Sequence, residues 1–386
     1  MHVAFLNYEY DPKMASLEDL LHTYATLAGW TEALHSEGAQ VTVFQRFHRD
    51  AELLRDGVRF RLVSDGYGPR LRKWQVPWSL HQAIQKECAA SKAEPTVVHF
   101  NGLIFPLQLG ALRALLSRRI AIVVQHHAER PWQGLRRSIQ RWGLQTVDGF
   151  FFAASEQASS WVEHGLISGR QRVYEVMEGS TNFHRQDRAA ARARTGLTGN
   201  PVVLWVGRLI ALKGPLTVLK GFESVLHHFP DARLHMVYGT DDLLPAVRAY
   251  ISQNALLSRS VTLWGSKPHD ALEHFYNSAD YFVLGSHYEG SGYSLAEAMA
   301  CGVVPVVTDI PSFRVLTDGG KIGACWPPGD GGAFAEAFLR VSRQPIQNIS
   351  DRAVRFFEEH LSFPAIARKA LRAYRELAAT RAEQKR

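Results

Sequence analysis

The stretch YFVLGSHYEGSGYSLAEAMACGVVPVVT, residues 281–308, decides the fold. It opens with the apolar run Tyr281–Leu284, passes through a glycine-containing loop, and predicts a helix that starts near Tyr293 or Ser294. A second apolar run, Val304–Thr308, follows that helix. Both runs are nearly continuous in apolar residues, which is typical of strands covered on both faces of a parallel sheet. The stretch is therefore predicted to be a strand–loop–helix–strand unit.

The same alternation of strand and helix runs along the whole chain. Amphipathic helical segments such as Leu17–Ser36, Pro215–His228 and Leu272–Ser278 separate the apolar runs. Such alternation favours doubly wound α/β units. The other predicted strands are His2–Leu6, Gln40–Phe44, Val58–Val63, Val97–Phe100, Ile120–Gln125, Phe150–Ala154, Val202–Val206, Leu234–Tyr238 and Val261–Trp264.

The length of 386 residues exceeds what one hydrophobic core usually serves, so two domains are expected. The first is predicted over residues 1–184. Residues 185–200 are polar and rich in Arg and Ala, and are interpreted as a linker. The second domain is predicted over 201–365, with a terminal helix at 366–386 that packs back toward the first domain.

Composition narrows the class of protein. The apolar fraction of 46% is that of a globular chain, which excludes a disordered or collagen-like one. Three cysteines, at 88, 301 and 325, form no disulfide framework and lack metal-ligand spacing, which indicates a reducing compartment. There is no signal-like start and no apolar run of ~20 residues. A cytoplasmic protein is expected, at most peripheral at the inner face of a membrane, as a monomer or homodimer.

The net charge of +7 is spread along the chain, apart from small clusters at Arg70, Arg72, Lys73 and at Arg136, Arg137, Arg141. Nucleic acid is therefore an unlikely partner, while an anionic substrate or a lipid surface remains open. Beside the second cluster, Trp132, Leu135, Ile139 and Trp142 form one helical stripe. A buried helix face is the preferred interpretation of this stripe, and a helix lying on an anionic membrane is the alternative.

The loop Glu289–Glu297 is the strongest candidate for chemistry. It follows a predicted strand, so it occupies the carboxyl edge of the sheet, where open α/β folds bind ligands. Gly290 and Gly292 permit close approach of backbone to a ligand, and the amides at the start of the next helix favour an anion. The two glutamates suit hydroxyl groups of a sugar. The alternative is an ordinary glycine turn with two solvated glutamates.

A second loop, Gly207–Gly214, also follows a predicted strand and leads into a helix. Arg208 and Lys213 lie within it, and a guanidinium with an ammonium suits a diphosphate. The order of residues is not that of a Walker loop, and no G-x-G-x-x-G is present, so nicotinamide chemistry is poorly supported. Two surface charges at a helix start are the alternative.

Histidines end two predicted strands in the first half. His126 and His127 follow Ile120–Gln125, and adjacent residues of an extended chain point to opposite sides. His99 lies at the end of another strand, where it either lines the same rim or packs internally. There is no Asp-x-Asp sequence to supply a carboxylate pair for a divalent ion, so no metal site is predicted.

These motifs together resemble the retaining glycosyltransferases of family 4. The resemblance rests on E-x7-E, Glu289 to Glu297, with its trailing EAMACGVVPVV, and on the upstream G-R-L-x-x-x-K-G, Gly207 to Gly214. It covers residues 200–330 clearly and the N-terminal half thinly. It implies the GT-B architecture: two Rossmann-like domains facing a central cleft, with the acceptor on the first domain and a nucleotide-sugar on the second.

The resemblance also implies roles for individual residues. Arg208 and Lys213 would hold the diphosphate, Glu289 would contact the donor sugar, and Glu297 would accept hydrogen bonds from the ribose. The family's N-domain histidine matches His127, with His126 as the one-residue alternative. The predicted catalytic set is His127, Arg208, Lys213 and Glu289. The predicted donor-binding set is Gly207, Arg208, Lys213, Glu289, Gly290, Ser291, Gly292, Tyr293, Ser294, Leu295 and Glu297.

Three positions depart from the family pattern. The loop Asn7–Ser16 contains no glycine, where the family has a Gly-Gly pair. Glu178-Gly-Ser-Thr181 stands in place of Asn-Gly-Val-Asp, and Ala128 replaces an Asp after the histidine.

The implied function is transfer of a hexose-type sugar, with retention and without a metal or prosthetic group, from a nucleotide-diphosphate donor to an acceptor hydroxyl. A UDP-sugar is preferred to GDP-mannose, and the base is expected near Gly265–Lys267 and Pro268. A nucleotide-sugar epimerase or hydrolase, or a non-catalytic nucleotide-sugar-binding protein, is the alternative.

Overall fold

The structure is a computed structural model that describes residues 1–14, 16–23, 25–91 and 95–383. The chain divides into two compact units. The first unit contains Met1–Ser180 together with the chain from Phe363 onward, and the second contains Thr181–Ser362.

The first unit is built on an eight-stranded sheet with the order β3-β4-β2-β1-β5-β6-β7-β8. Every neighbouring pair is parallel except β3 with β4. The strand order reverses between β1 and β5, which makes the carboxyl ends of these strands a topological switch point. The strands are β1 (His2–Asn7), β2 (Gln40–Arg46), β3 (Ala51–Arg55), β4 (Val58–Val63), β5 (Thr96–Asn101), β6 (Ala121–Gln125), β7 (Gly149–Phe152) and β8 (Arg172–Glu175).

The second unit is built on a six-stranded sheet in the order β11-β10-β9-β12-β13-β14, and all pairs are parallel. Its switch point lies between β9 and β12, where Val203 pairs with Tyr281. The strands are β9 (Val202–Gly207), β10 (Arg233–Tyr238), β11 (Val261–Gly265), β12 (Tyr281–Leu284), β13 (Val304–Thr308) and β14 (Ala324–Trp326). The apolar side chains of β9, β12 and β13 are buried, as expected for strands with helices on both faces.

Helices cover both sheets. Short segments of other helical type lie at Ser155–Ala158, Ala211–Lys213 and Phe357–Leu361. The first unit contains α1 (Leu17–Thr23), α2 (Ala25–Ser36), α3 (Trp78–Ala90), α4 (Pro106–Leu115), α5 (Arg136–Leu144) and α6 (Ser159–Glu163). The second contains α7 (Arg188–Thr195), α8 (Pro215–His228), α9 (Leu244–Ser252), α10 (Ala255–Ser260), α11 (His269–Ser278), α12 (Tyr293–Ala300), α13 (Pro311–Leu316), α14 (Gly331–Ser342) and α15 (Ile346–Phe356). The last helix, α16 (Phe363–Glu383), belongs to the first unit.

The predicted fold class is confirmed, since both units are parallel α/β sheets, with one antiparallel edge pair in the first. The prediction omitted β3, β8 and β14. Strand β3 is exposed along its length, β8 begins and ends on charged residues, and β14 has three residues, so none shows a long apolar run. The predicted helix over 17–36 is described as α1 and α2, and its residue 24 lies outside the described residues.

The segment interpreted as a linker contains α7. The Asp187 side chain accepts a hydrogen bond from the Ala190 amide at 2.8 Å and caps this helix, and Gly196 ends it in the left-handed region. Arg188 and Arg192 both pair with Asp280, at 2.9 and 2.7 Å. These two ion pairs hold α7 within the second unit.

The preferred interpretation of the Trp132–Trp142 stripe as a buried face is wrong. Leu135 is 92% exposed, Trp142 54% and Ile139 45%, whereas Gln140, Gly143 and Leu144 are buried. The reason is close packing of α5 on α4: a Cβ atom at Gly143 would lie 2.3 Å from the Pro106 carbonyl oxygen. Only the face with the smallest residue fits there, so Leu135 and Ile139 point outward, while the Trp142 ring lies over Gly110 of α4 and stays partly exposed.

His99 packs inside the first unit. Its Nδ1 atom lies 2.6 Å from the Tyr374 hydroxyl of α16, and its ring stacks on Phe5 with centroids 4.1 Å apart. Burial lowers the pKa of His99 to about 3, so the ring is neutral at physiological pH. Of the two alternatives for this residue, internal packing is the one observed.

Candidate functional site

The loops after β9 and β12 meet at the switch point of the second sheet. Gly214 adopts φ +58°, and a Cβ atom there would lie 2.1 Å from the Gly285 carbonyl oxygen. The His287 amide donates to the Leu212 carbonyl oxygen at 2.9 Å. The two sequence motifs, about 80 residues apart in the chain, therefore form one continuous surface at the carboxyl edge.

An ion pair joins the two loops. Lys213 Nζ lies 2.5 Å from Glu289 Oε1, and the Ser286 hydroxyl donates to the same oxygen at 2.6 Å. Both charged side chains are largely buried. Arg208, at the end of β9, is exposed. The structure thus brings Lys213 and Glu289 into direct contact and leaves the Arg208 side chain open to solvent.

Helix α12 begins directly after the second loop. Gly292 precedes it with φ +77°, and a Cβ atom at this position would lie 2.8 Å from Phe313 Cε1. Gly290 and Ser291 are buried beside it, while Tyr293 is exposed and Ser294 half-buried. The first-turn amides of a helix carry partial positive charge, so the start of α12 adds to the positive potential of this edge.

Glu297 lies one turn inside α12, and two side chains of α11 hold it. Its Oε1 atom is 2.8 Å from His269 Nε2, and its Oε2 atom accepts a hydrogen bond from the Tyr276 hydroxyl at 2.8 Å. The Phe183 ring stacks on His269 with centroids 4.9 Å apart. The hydrogen bond to Glu297 raises the pKa of His269 against the opposing effect of burial. Both carboxylate oxygens of Glu297 therefore already have a protein donor.

Sequence reasoning missed Ser286, His269 and Tyr276. His269 directly follows Pro268, at the end of the segment expected to read the base, so position alone was its signal. Tyr276 is buried in an amphipathic helix and looks like an ordinary core residue. Leu295, one of the predicted donor-binding residues, is also buried, and its amide donates to the Gly292 carbonyl oxygen at 3.0 Å.

A second polar cluster lies at the carboxyl edge of the first sheet. His127, just after β6, has Nδ1 2.7 Å from Glu178 Oε2 and Nε2 3.0 Å from Asn101 Oδ1. Asn101 ends β5, and its Nδ2 atom donates to Asn7 Oδ1 at the end of β1. The His127 amide also donates to Glu129 Oε2 at 2.6 Å. The polar residues at the ends of β1, β5 and β6 therefore lie together at the switch point of this sheet.

His126 and His127 have opposite surroundings. His126 is buried, stacks on Phe152 with centroids 4.6 Å apart, and has Nε2 3.0 Å from the Glu129 carbonyl oxygen. Burial lowers the pKa of His126. For His127 burial acts in the same direction, but the carboxylates of Glu178 and Glu129 outweigh it and raise the pKa. His127 is the histidine of the pair that meets solvent.

Within the described residues, no group of three His, Cys, Asp or Glu side chains is arranged to hold a metal ion. Nor does the described part of the chain contain a helix with the length and apolar character needed to cross a membrane.

Two family models cover most of the chain. Residues 26–174 match the model described as Glycosyltransferase Family 4, and residues 187–355 match Glycosyl transferases group 1. The second match contains both loops of the second unit. The chain belongs to the family 4, group 1 glycosyltransferases. The family predicted from the two motifs is therefore confirmed.

Curated relatives match over parts of the chain. A D-inositol 3-phosphate glycosyltransferase from Segniliparus rotundus is 36% identical over 136 residues, 34% of this chain and 30% of that protein. A mannosylfructose-phosphate synthase from Agrobacterium fabrum is 35% identical over 127 residues, 31% of this chain and 28% of that protein. The matched segments thus span less than a third of these two relatives.

Solved structures match over almost the entire chain. A sucrose-phosphate synthase from Thermosynechococcus elongatus has a TM-score of 0.72 at 21% identity, over 98% of this chain and 99% of that one. HepE from Anabaena, in complex with UDP and glucose, has a TM-score of 0.67 at 14% identity, over 97% of this chain and 100% of that one. At these identities the likeness establishes the fold, which is the GT-B fold that the motifs predicted.

Proposed function

We propose that this chain is a retaining glycosyltransferase that moves a hexose-type sugar from a nucleotide-diphosphate donor to an acceptor hydroxyl without a metal ion. The observation that carries the proposal is the contact between Lys213 and Glu289, which joins two family motifs at the switch point of the second sheet. Membership of the family and the names of the relatives support the same reaction class.

The donor diphosphate is assigned to the edge formed by Arg208, Lys213 and the start of α12. Arg208 supplies a guanidinium fork and Lys213 a point charge, and the helix amides add partial positive charge. Preorganised positive charge of this kind stabilises the phosphate as it leaves, which is the main catalytic device proposed here. A divalent ion then has no necessary role.

Glu289 is assigned to the donor sugar and Glu297 to the ribose. Two donors already hold the Glu297 carboxylate, but a carboxylate offers about four lone-pair sites, so it can still accept from ribose hydroxyls. The His269 and Tyr276 contacts fix its orientation before the ligand arrives. Such preorganisation lowers the entropic cost of binding.

The acceptor is assigned to the first unit, with His127 as the candidate catalytic residue there. A UDP-sugar is the preferred donor. HepE is described in complex with UDP and glucose, and a trehalose-6-phosphate protein from E. coli is described with UDP-2-fluoro glucose. These ligands belong to those proteins, and they favour UDP over GDP for this one.

Calorimetric titration with UDP and GDP tests the donor site. We expect UDP to bind, and Lys213→Ala to lower its affinity by about 10- to 100-fold, since a hydrogen bond to a charged group contributes roughly 1.5–3 kcal/mol. Arg343→Ala, an exposed arginine beyond α14 in the same unit, is the control and leaves affinity unchanged. If neither nucleotide binds, the proposal is wrong.

Turnover tests the reaction itself. UDP-hexoses are incubated with acceptors that include inositol phosphates and hexose phosphates, and NMR of the product gives the anomeric configuration. Transfer with retained configuration, unaffected by a chelator, supports the proposal. Release of free sugar at the same rate with and without acceptors favours a hydrolase, and inversion contradicts retention.

A further inference from the structure

The first unit carries a surface of basic and large apolar side chains that the proposed reaction does not use. It is formed by residues 70–78 and 132–142, and is called here the basic–aromatic surface. Trp74 is 65% exposed and Trp78 49%, and they join the exposed side chains of α5. Single exposed apolar side chains are common on protein surfaces. Five large ones in two neighbouring segments form a patch, and such patches typically mark a site of interaction.

Direct contacts join the two segments of this surface. Lys73 Nζ lies 4.5 Å from the centroid of a Trp132 ring, a cation–π contact. Between the segments runs α4, where Gln108 Nε2 donates to the carbonyl oxygens of Lys73 and Gln75, at 3.1 and 2.6 Å. On its other side α4 packs against α5 at Gly143. The two basic clusters noted in the sequence therefore belong to one face of the unit.

The segments that build this face carry charge of one sign. Residues 66–86, 101–128 and 130–147 contain no Asp or Glu, so each of the three segments that build the face is free of acidic residues. Arg70, Arg72 and Lys73 belong to the first of these segments, and Arg136, Arg137 and Arg141 belong to the third. This concentration of positive charge complements an anionic surface, because each Lys or Arg close to such a surface strengthens the attraction.

The apolar side chains decide which anionic surface fits. Leu135 and Ile139 are aliphatic and protrude between the arginines, a pattern suited to insertion at the boundary between headgroups and acyl chains. Tryptophan prefers the same interfacial depth. Single-stranded nucleic acid is bound by stacking of its bases on aromatic rings, and the aliphatic side chains of Leu135 and Ile139 do not supply that contact.

We propose that the basic–aromatic surface docks the first unit on an anionic lipid bilayer, with the α5 stripe inserted and the flanking arginines on the headgroups. The proposal does not depend on the identity of the sugar donor. The segments that form this face follow β4, β5 and β6, so they leave the same carboxyl edge of the sheet that carries His127. Docking there sets the His127 cluster near the bilayer surface.

Vesicle co-sedimentation of the full chain tests the proposal. We expect binding to vesicles of phosphatidylcholine mixed with phosphatidylglycerol, weakened by salt, and little binding to phosphatidylcholine alone. The double variant Leu135→Ser, Ile139→Ser is expected to lower the partition coefficient by about tenfold or more, because it removes several aliphatic carbon groups that would insert into the bilayer. Both side chains are exposed, so the thermal unfolding curve should not move.

A matched control uses another exposed pair of the same unit. Leu53→Ser with Leu54→Ser, on the edge strand β3, removes the same number of carbon atoms from exposed side chains outside the proposed face and should leave partitioning unchanged. Equal loss in both double variants, equal binding to neutral vesicles, or no binding to either vesicle type overturns the proposal. Binding to a single-stranded oligonucleotide in place of vesicles would overturn it in favour of nucleic acid.

Discussion

Glu178 gives His127 a carboxylate partner that its neighbour in sequence does not supply. The resembling family usually places Asp after the histidine and Asn at the position of Glu178, whereas this chain has Ala128 and Glu178. Ala128 adopts φ +65°, and the chain turns there so that Glu129 reaches the His127 amide. Ala128 and Glu178, two departures from the family pattern that lie 50 residues apart in sequence, therefore both affect the surroundings of the His127 ring.

Replacing Glu178 should change the titration of His127. Glu178→Gln removes the largest effect that raises the pKa of this ring, so the pKa should fall. A raised pKa stabilises the folded protein below the unfolded value of 6.5, and that contribution disappears as pH rises through the folded pKa. The variant should therefore be less stable than the parent at acidic pH, and the difference should shrink toward alkaline pH.

NMR titration of the ring, with thermal unfolding at several pH values, checks this expectation. Glu178→Asp keeps the charge and should retain most of the shift, while Glu163→Gln on α6 serves as the remote control. The other groups that face the ring, Glu129, His126 and His99, are unchanged in these variants. An unchanged His127 pKa in Glu178→Gln would contradict the role given to this pair.

The predictable residues of the second unit share one property. Gly207, Arg208, Lys213, Glu289 and Glu297 stand at fixed spacing in motifs that follow apolar strands, so local sequence suffices to find them. Ser286 and Tyr276 have no such signal, because their role depends on a carboxylate reached only in the folded unit. Residue type and spacing identified the candidate site residues, and the tertiary contacts identified the side chains that hydrogen-bond to them.

At the scale of elements, the approach of the loops after β9 and β12 sets the site. Gly214 faces Gly285 with no space for a side chain between them. Gly214→Ala places an L residue in the left-handed region and a Cβ atom against backbone. We expect it to lower the free energy of unfolding by roughly 2–4 kcal/mol and to weaken UDP binding, since the loops must separate.

Gly239→Ala, at the end of β10, is the matched control because a Cβ atom there meets nothing within 4 Å. Chemical denaturation and calorimetry on both variants give stability and UDP affinity. Equal stability of the two variants would show that the loops tolerate a wider spacing, against the geometry described here.

Helix α5 shows the limit of pattern reading for an element. Its apolar stripe has the spacing of a core face, and amphipathic periodicity alone cannot tell which face packs inward. The approach of Gly143 to Pro106 decides the orientation. That contact links residues far apart in sequence, so it was absent from the local pattern.

At the scale of the molecule, the chain ends in the unit where it began. α16 contributes ten buried residues to the first unit, among them Leu371 and Tyr374. The Tyr374 ring stacks on Phe151 with centroids 5.4 Å apart, and its hydroxyl meets His99. The stability of the first unit therefore depends on residues that follow the second unit in sequence.

Tyr374→Ala in the full chain should destabilise the first unit by about 3–5 kcal/mol, the usual cost of truncating a buried aromatic residue. Differential scanning calorimetry with UDP separates the two units, because a ligand stabilises only the unit that binds it. We expect UDP to raise the unfolding temperature of the second unit and Tyr374→Ala to lower the unfolding temperature of the first. A variant that lowers the UDP-sensitive transition alone would contradict this division, and Tyr374→Phe should have a smaller effect.

The sequence by itself determined the α/β class, most strands, the family and the two loops of the second unit. These features depend on local periodicity and on motifs, both of which are written in consecutive residues. Only the tertiary structure decided that Glu178 partners His127, that Tyr276 holds Glu297, and that the stripe of Leu135, Ile139 and Trp142 is exposed. Each of these features depends on contacts between residues distant in sequence. Local patterns are compatible with several arrangements, and tertiary packing selects one of them.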